Sequence, residues 1–180
     1  DVSQACFEAY GQSVQSYIIS LRELLGVISA HEWRKKGVPI LFGNEQEIRI
    51  HPHYGVFSPV RGEYIQLVSK APLPQILKED SIAFDIGVGT GVLSAVLAKR
   101  GVQTIVATDQ NDRALACAQE NVERLGLASR IQVLKANLFP QGKAALIVCN
   151  PPWLPARPSS SLEHAVYDPE SQMLRGFLSN

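Results

Sequence analysis

Cysteine is scarce in this chain: Cys6, Cys117 and Cys149 are all it has in 180 residues. Three scattered thiols cannot form a disulfide framework, and their spacing fits no zinc site. Two of the three stand among apolar neighbours and read as small buried hydrophobes, so a reduced, cytoplasmic protein is expected. Net charge is lacking as well, since 17 Lys and Arg balance 17 Asp and Glu. That balance weighs against a long nucleic-acid groove, which usually carries a basic excess. The one basic run, Arg34-Lys35-Lys36, reads as a solvated helix end. No apolar stretch approaches about 18 residues, so no membrane span is expected, and no signal peptide is visible. Repeats and low-complexity tracts are also absent. The first residue is Asp1, which reads as a trimmed or processed start.

What remains is ordinary globular material, 46% hydrophobic and 19% charged, enough for one core with a small appendage. Val14, Ile18, Leu21, Leu25 and Ile28 recur at helical spacing and predict an N-terminal helix with one apolar stripe, which Gly26 interrupts. Gly37-Val38-Pro39 ends the helix carrying Trp33. Glu47–His51 and Tyr54–Phe57, joined by a proline turn, read as a hairpin. His51 and His53 flank Pro52, but with no third ligand nearby they read as surface residues, and no metal is expected. Another helix is predicted from Tyr64 to Leu77, broken by Pro72 and Pro74.

The second half is regular. Strands are predicted at Ser81–Asp85, Gln103–Thr108, Ile131–Lys135 and Ala145–Cys149, with helices at Val92–Lys99 and Asp112–Leu125. Alternation of this kind with short loops means a doubly wound, Rossmann-like parallel sheet in the α/β class. We therefore divide the chain into an N-terminal helical segment plus hairpin (1–60) and a nucleoside-binding α/β domain (61–180). Pro155, Pro158 and Ser159-Ser160-Ser161 mark a flexible loop, and Glu170–Leu178 reads as a last helix. Four strands leave the last as an exposed edge, so the hairpin completes the sheet or the domain is incomplete at its C-terminus; the second is favoured.

Chemistry concentrates where strands end. Asp85-Ile86-Gly87-Val88-Gly89-Thr90-Gly91 joins a strand to a helix, and its glycines permit a tight turn and close backbone approach to a ligand. A dinucleotide fingerprint would need glycine or alanine at position 92, which is Val92, and a P-loop would need Lys-Ser/Thr after the glycines. Both readings fail. Asp109 ends the next strand about twenty residues on, where a carboxylate can accept two ribose hydroxyls. The fourth strand runs into Asn150-Pro151-Pro152-Trp153, whose prolines fix φ and remove two donors, so its carbonyls are aimed rigidly.

An acidic strand end followed by Gly-x-Gly-x-Gly resembles the first motif of class I S-adenosylmethionine-dependent methyltransferases. Asn111 to Leu115, with Ala118 and Asn121, is similar to the same family. The resemblance implies S-adenosyl-L-methionine as cofactor, with Asp85 near its amino group and Gly87, Val88, Gly89, Thr90 and Gly91 beneath it. It implies further contacts from Asp109, Gln110, Asn137, Leu138 and Asn150; Asn137 stands where the family usually has an acid. Asn150-Pro151-Pro152-Trp153 resembles the signature of enzymes that methylate a planar, conjugated nitrogen. Asn150 and Pro151 would accept the two N–H bonds of that nitrogen and Trp153 would stack on it, which is catalysis by positioning and hydrogen bonding, without metal or covalent intermediate.

Val56-Phe57-Ser58-Pro59 ahead of a helix also resembles the glutamine methyltransferases of peptide-release factors and the small-domain ribosomal-RNA guanine methyltransferases. The acceptor implied is a protein glutamine, slightly favoured, or an exocyclic amino group of an RNA or DNA base. A non-catalytic cofactor-binding subunit is the third reading. Oligomeric state is not legible. The loop from Leu154 to Asp168, with Arg157 and Tyr167, is the expected substrate-facing lid.

Overall fold

Asp1 accepts the Ser3 amide and Gly11 ends the first helix at a φ of 78°, so α1 is confined to Val2–Tyr10. Ser20 starts α2 (Leu21–Lys36) by accepting the Glu23 amide, and Gly37 closes it. These elements come from a computed structural model that describes residues 1–42, 46–60, 62–157 and 166–179. The expected single stripe is thereby divided. Val14 and Ile18 lie between the helices, 94% and 100% exposed, while α2 buries Val27 and His31 and passes through Gly26 without a break. Two local caps override a periodic pattern that ran across them.

Strands β1 (Val38–Phe42) and β2 (Gln46–Ile50) form the hairpin, with Val38 opposite Ile50 and Ile40 opposite Ile48. The partner of the second strand is thus upstream of it. Tyr54–Phe57 is a turn, closed by the Val56 amide on the His53 carbonyl, with Gly55 at a φ of 80°. Pro39 disguised β1 in the sequence, yet it sits in a two-stranded ribbon where a missing donor is tolerated. Val38, Ile40, Ile48 and Ile50 join the main core.

Helix α3 (Glu63–Lys70) ends just before Pro72, and the α/β part follows: β3 (Ile82–Ile86), α4 (Val92–Lys99), β4 (Thr104–Asp109), α5 (Asp112–Arg124), β5 (Ile131–Lys135) and β6 (Leu146–Cys149). A short 3-10 turn (Pro169–Ser171) leads into α6 (Gln172–Ser179). The strands run parallel in the order β5-β4-β3-β6, so the chain winds outward from β3 in both directions. Ligands bind at such a switch point. Helix α4 is buried on all sides, from Val92 to Ala98, and packs between β4 and α3. Among the described residues β6 pairs with β3 alone, Ile147 is 41% exposed, and the hairpin stays a separate sheet. The fourth strand is the exposed edge that the strand count leaves, and the hairpin does not cover it. The serine-rich stretch 158–165 lies outside the described residues.

Candidate active site

Register brings the predicted residues to one level. Ile86 pairs with Thr108 on one side and Cys149 on the other, so the next residues, Gly87, Asp109 and Asn150, leave three adjacent strands together. The glycine turn is tied down by Gly87 and Val88 amides donating to the Thr108 carbonyl at 2.9 and 2.8 Å, and by the Gly91 amide on the Val88 carbonyl at 2.8 Å. Gly87, Gly89 and Gly91 all have positive φ (76°, 52° and 80°), which side chains with a Cβ adopt at a cost. A Cβ on Gly91 would also press on Ala118 of α5, 3.4 Å from its Cα, whereas at Gly87 and Gly89 it would meet nothing nearer than 3.8 Å.

Asp85 is 1% exposed, and its carboxylate accepts the Ser94 amide at 2.9 Å and the Ser94 hydroxyl at 2.6 Å. Burial pushes its carboxyl up to about 7; the Ser94 bonds pull down and the Asp109 charge pushes further up. Asp109 is oriented by two amides, Gly89 at 3.1 Å and Asn111 at 3.0 Å, which leave carboxylate lone pairs for a ligand. Leu138 holds a φ of 67°, unusual for a residue with a Cβ, and its carbonyl accepts the Thr108 hydroxyl at 2.5 Å. Gln110 donates to the Asn137 side-chain oxygen at 2.8 Å, joining the loops after β4 and β5.

A cleft of about 470 Å³ opens over these strand ends, within the range of small-molecule sites. Asp85, Gly87, Val88, Gly89, Thr90 and Asp109 line one side, and Gln110 and Leu138 another. Asn150 and Pro152 line the wall toward β6. Gly91, Asn137, Pro151 and Trp153 stand outside the lining. Trp153 is 56% exposed and packs edge-on against the cleft residue Phe57, with centroids 6.0 Å apart. Thus two sequence motifs 60 residues apart in the chain share one cleft, between Thr90 and Asn150.

Residues 47–167 match the family described as Methyltransferase small domain. The chain belongs to that family. Among the relatives of this methyltransferase domain is the ribosomal protein L11 methyltransferase of Caldanaerobacter subterraneus, 26% identical over 161 residues, covering 79% of this chain and 51% of the relative. Another, from Methanocaldococcus jannaschii and provisionally named a protein N5-glutamine methyltransferase, is 30% identical over 119 residues, covering 65% and 56%. The chain spans about half the length of these curated relatives. The hMettl16 catalytic domain, solved with a MAT2A 3′UTR hairpin, superposes with a TM-score of 0.50 at 18% identity, covering 99% of this chain and 71% of that one. The fold of the methyltransferase domain is accordingly Rossmann-like, of the class I type.

Several cleft residues of the methyltransferase domain escaped the sequence reading. Tyr64 reaches in from α3, where burial and then the Asp85 charge hold its hydroxyl protonated. Thr108 is buried and fixes Leu138, and Met173 arrives from α6. None of these carries a motif. Tyr167 and Asp168, expected in a lid, line the cleft, and Arg157 is exposed. His51 and His53 turn inward rather than out: His51 bonds the Arg34 carbonyl at 2.6 Å and His53 bonds Glu120 at 2.9 Å. Among the described residues no group of three His, Cys, Asp or Glu could hold a metal.

Proposed function

We propose that the chain is an S-adenosylmethionine-dependent N-methyltransferase whose acceptor is a planar amide or amino nitrogen, with a protein glutamine favoured. The observation that carries this reading is the meeting of the glycine turn, Asp109 and Asn150 in one cleft. The cleft suits the cofactor. Gly87 and Gly89 present a strip of backbone that a Cβ would fill, with nothing nearer than 3.8 Å, and Asp109, oriented by two amides, keeps lone pairs that could accept ribose hydroxyls. Asp85 lies behind that strip, where a cationic amino group would favour its ionised form.

When bound, the cofactor would supply an electrophilic methyl group on a sulfonium, whose S–C bond would break as the new N–C bond forms and leave a neutral thioether. The task of the chain is to bring up a nitrogen whose lone pair is delocalised. The Asn150 side-chain oxygen and the Pro151 carbonyl accept its N–H bonds, hold it in line and favour its rehybridisation as the N–C bond forms and a proton leaves to solvent. Prolines 151 and 152 bring no N–H of their own to compete for those acceptors, and their fixed φ holds the turn rigid. Trp153, held edge-on by Phe57, keeps a face for the flat acceptor.

Charge favours the protein acceptor. The basic run does not form an open phosphate track: Arg34 pairs with Glu120 at 3.1 Å and Glu8 at 3.7 Å, and Lys35 and Lys36 both lie beside Glu32. The exposed face of Trp153 is what favours the second reading, a base amino group, since stacking suits any flat ring.

Labelled S-adenosylmethionine and cell extract decide between them. Label lost to protease alone supports a protein acceptor, and label lost to nuclease alone moves the assignment to a base. In the same assay Asn150→Ala should lower transfer by about 100-fold or more with cofactor affinity retained; equal loss of both would remove Asn150 from its assigned role.

A further inference from the structure

We propose that Asp168 is a positioning residue that couples the acceptor loop to the cofactor side of the cleft. The proposal rests on the function inferred above. The Asp168 side chain is buried, and it lines the same cleft as the glycine turn. Its two carboxylate oxygens are committed to α6: one accepts the Met173 amide at 2.9 Å, the other the Leu174 amide at 3.1 Å. An ordinary capping residue reaches amides two or three positions on. Here the reach is five and six, across a turn in which Glu170 and Ser171 both hold positive φ (57° and 54°). Such backbone is unfavourable for residues with a Cβ, and two charge-assisted hydrogen bonds offset it.

The other end of Asp168 belongs to the acceptor loop. Its amide donates to the Leu154 carbonyl at 2.7 Å, and Trp153 and Leu154 both donate to the Val166 carbonyl at 3.1 Å. Leu154 and Tyr167 form a parallel bridge. These bonds are what Pro151 and Pro152, lacking donors, cannot make for themselves. Hence the segment Val166–Asp168 fixes Asn150-Pro151-Pro152-Trp153 from its C-terminal side.

Helix α6 transmits that anchor to the cofactor side. No residue of α6 is buried, so packing alone holds it weakly. What it delivers is local: the Met173 methyl lies 3.8 Å from the place a Cβ would occupy on Gly87, and a Cβ on Gly176 would meet Leu138 at 2.7 Å. Phe177 stacks on Phe139 with centroids 5.6 Å apart. One residue therefore touches both sides: its carboxylate holds α6 beside the glycine turn, and its backbone amide holds the acceptor loop.

The test combines calorimetry with S-adenosylmethionine and amide hydrogen exchange on the full chain, for Asp168→Ala and Asp168→Asn. The alanine variant should bind cofactor about tenfold more weakly, the scale of a site-to-site coupling. Exchange should quicken at Trp153 and Leu154 as well as at Met173 and Leu174. Asparagine keeps one acceptor oxygen and should restore most of the affinity. Should the alanine variant unfold, the asparagine variant, which leaves one of the two amides unmatched, should still quicken exchange at Trp153 and Leu154, and no change there would overturn the proposal. Faster exchange confined to Met173 and Leu174, with affinity unchanged, would make Asp168 a helix cap and overturn the proposal. A wild-type chain that binds no cofactor would defeat the proposed function instead, and exchange at Trp153 and Leu154 would still decide the coupling.

Discussion

Asp85 is the residue whose environment is most at odds with its chemistry. An ordinary aspartate titrates at 3.8; burial, opposed by Ser94 and reinforced by Asp109, moves this one to about 7. Between those values the folded chain holds a proton that the unfolded chain has lost, so folding is favoured at the lower pH. The ligand-free chain should therefore lose stability as pH rises from about 4 to 7, at no more than about 1.4 kcal/mol per pH unit, and level off above. Thermal unfolding across that range checks it. Asp85→Asn should flatten the slope, and an unchanged slope would mean that another group carries the proton. Cys149, close by, is pushed up to about 12 by burial and then by Asp85, and so stays a thiol at neutral pH.

At the scale of elements, the turn between β3 and α4 is the most tightly determined piece. Gly91 opens α4 in the left-handed region, at φ 80° and ψ 8°, while touching α5 through Ala118. Gly91→Ala should cost about 1–2 kcal/mol from backbone strain alone, before any displacement of α5. Urea unfolding measures it, and a neutral result would mean that the turn can relax. Elements of this part matched their sequence patterns: α4 covers Val92–Lys99 and β5 Ile131–Lys135, both as read from periodicity. The N-terminal elements did not. Ser20 followed by Glu23 was a legible helix start, but the longer stripe through Val14 and Ile18 concealed it. Pro39 concealed β1, because proline usually argues against a strand and only the pairing partner reveals that its donor is not needed.

On the scale of the whole molecule, Asn121 fastens the N-terminal segment to the glycine turn. Its buried side chain accepts the His51 amide at 2.8 Å and donates to the His51, Thr90 and Cys117 carbonyls, each at 3.1 Å. Arg113 adds a second tie, donating to the Tyr54 and Ala9 carbonyls at 2.9 and 3.0 Å. Glu8, His31, Arg34, Glu120 and His53 make a third, running from α1 through α2 to α5. Asn121→Ala strands several buried backbone groups and should cost about 3 kcal/mol. If chemical denaturation shows a loss below about 1 kcal/mol, water has replaced the amide. Among the described residues no helix is long and apolar enough to cross a membrane, as the sequence led one to expect.

The sequence by itself determined the alternating strands and helices of the second half, the acidic strand end with its glycines, Asp109 one strand later, and the Asn-Pro-Pro-Trp turn. These are local facts: periodicity, turn chemistry and missing donors act over a few residues, and the chain displays them directly. Tertiary structure decided that the hairpin stays a sheet apart from β6, that it forms one strand early, that Tyr64 and Met173 enter the cleft, and that Asp168 joins two of its walls. Those depend on which strands lie side by side and on which amides are left without partners. Both are set by register and packing between segments far apart in the chain, which no short window of sequence contains.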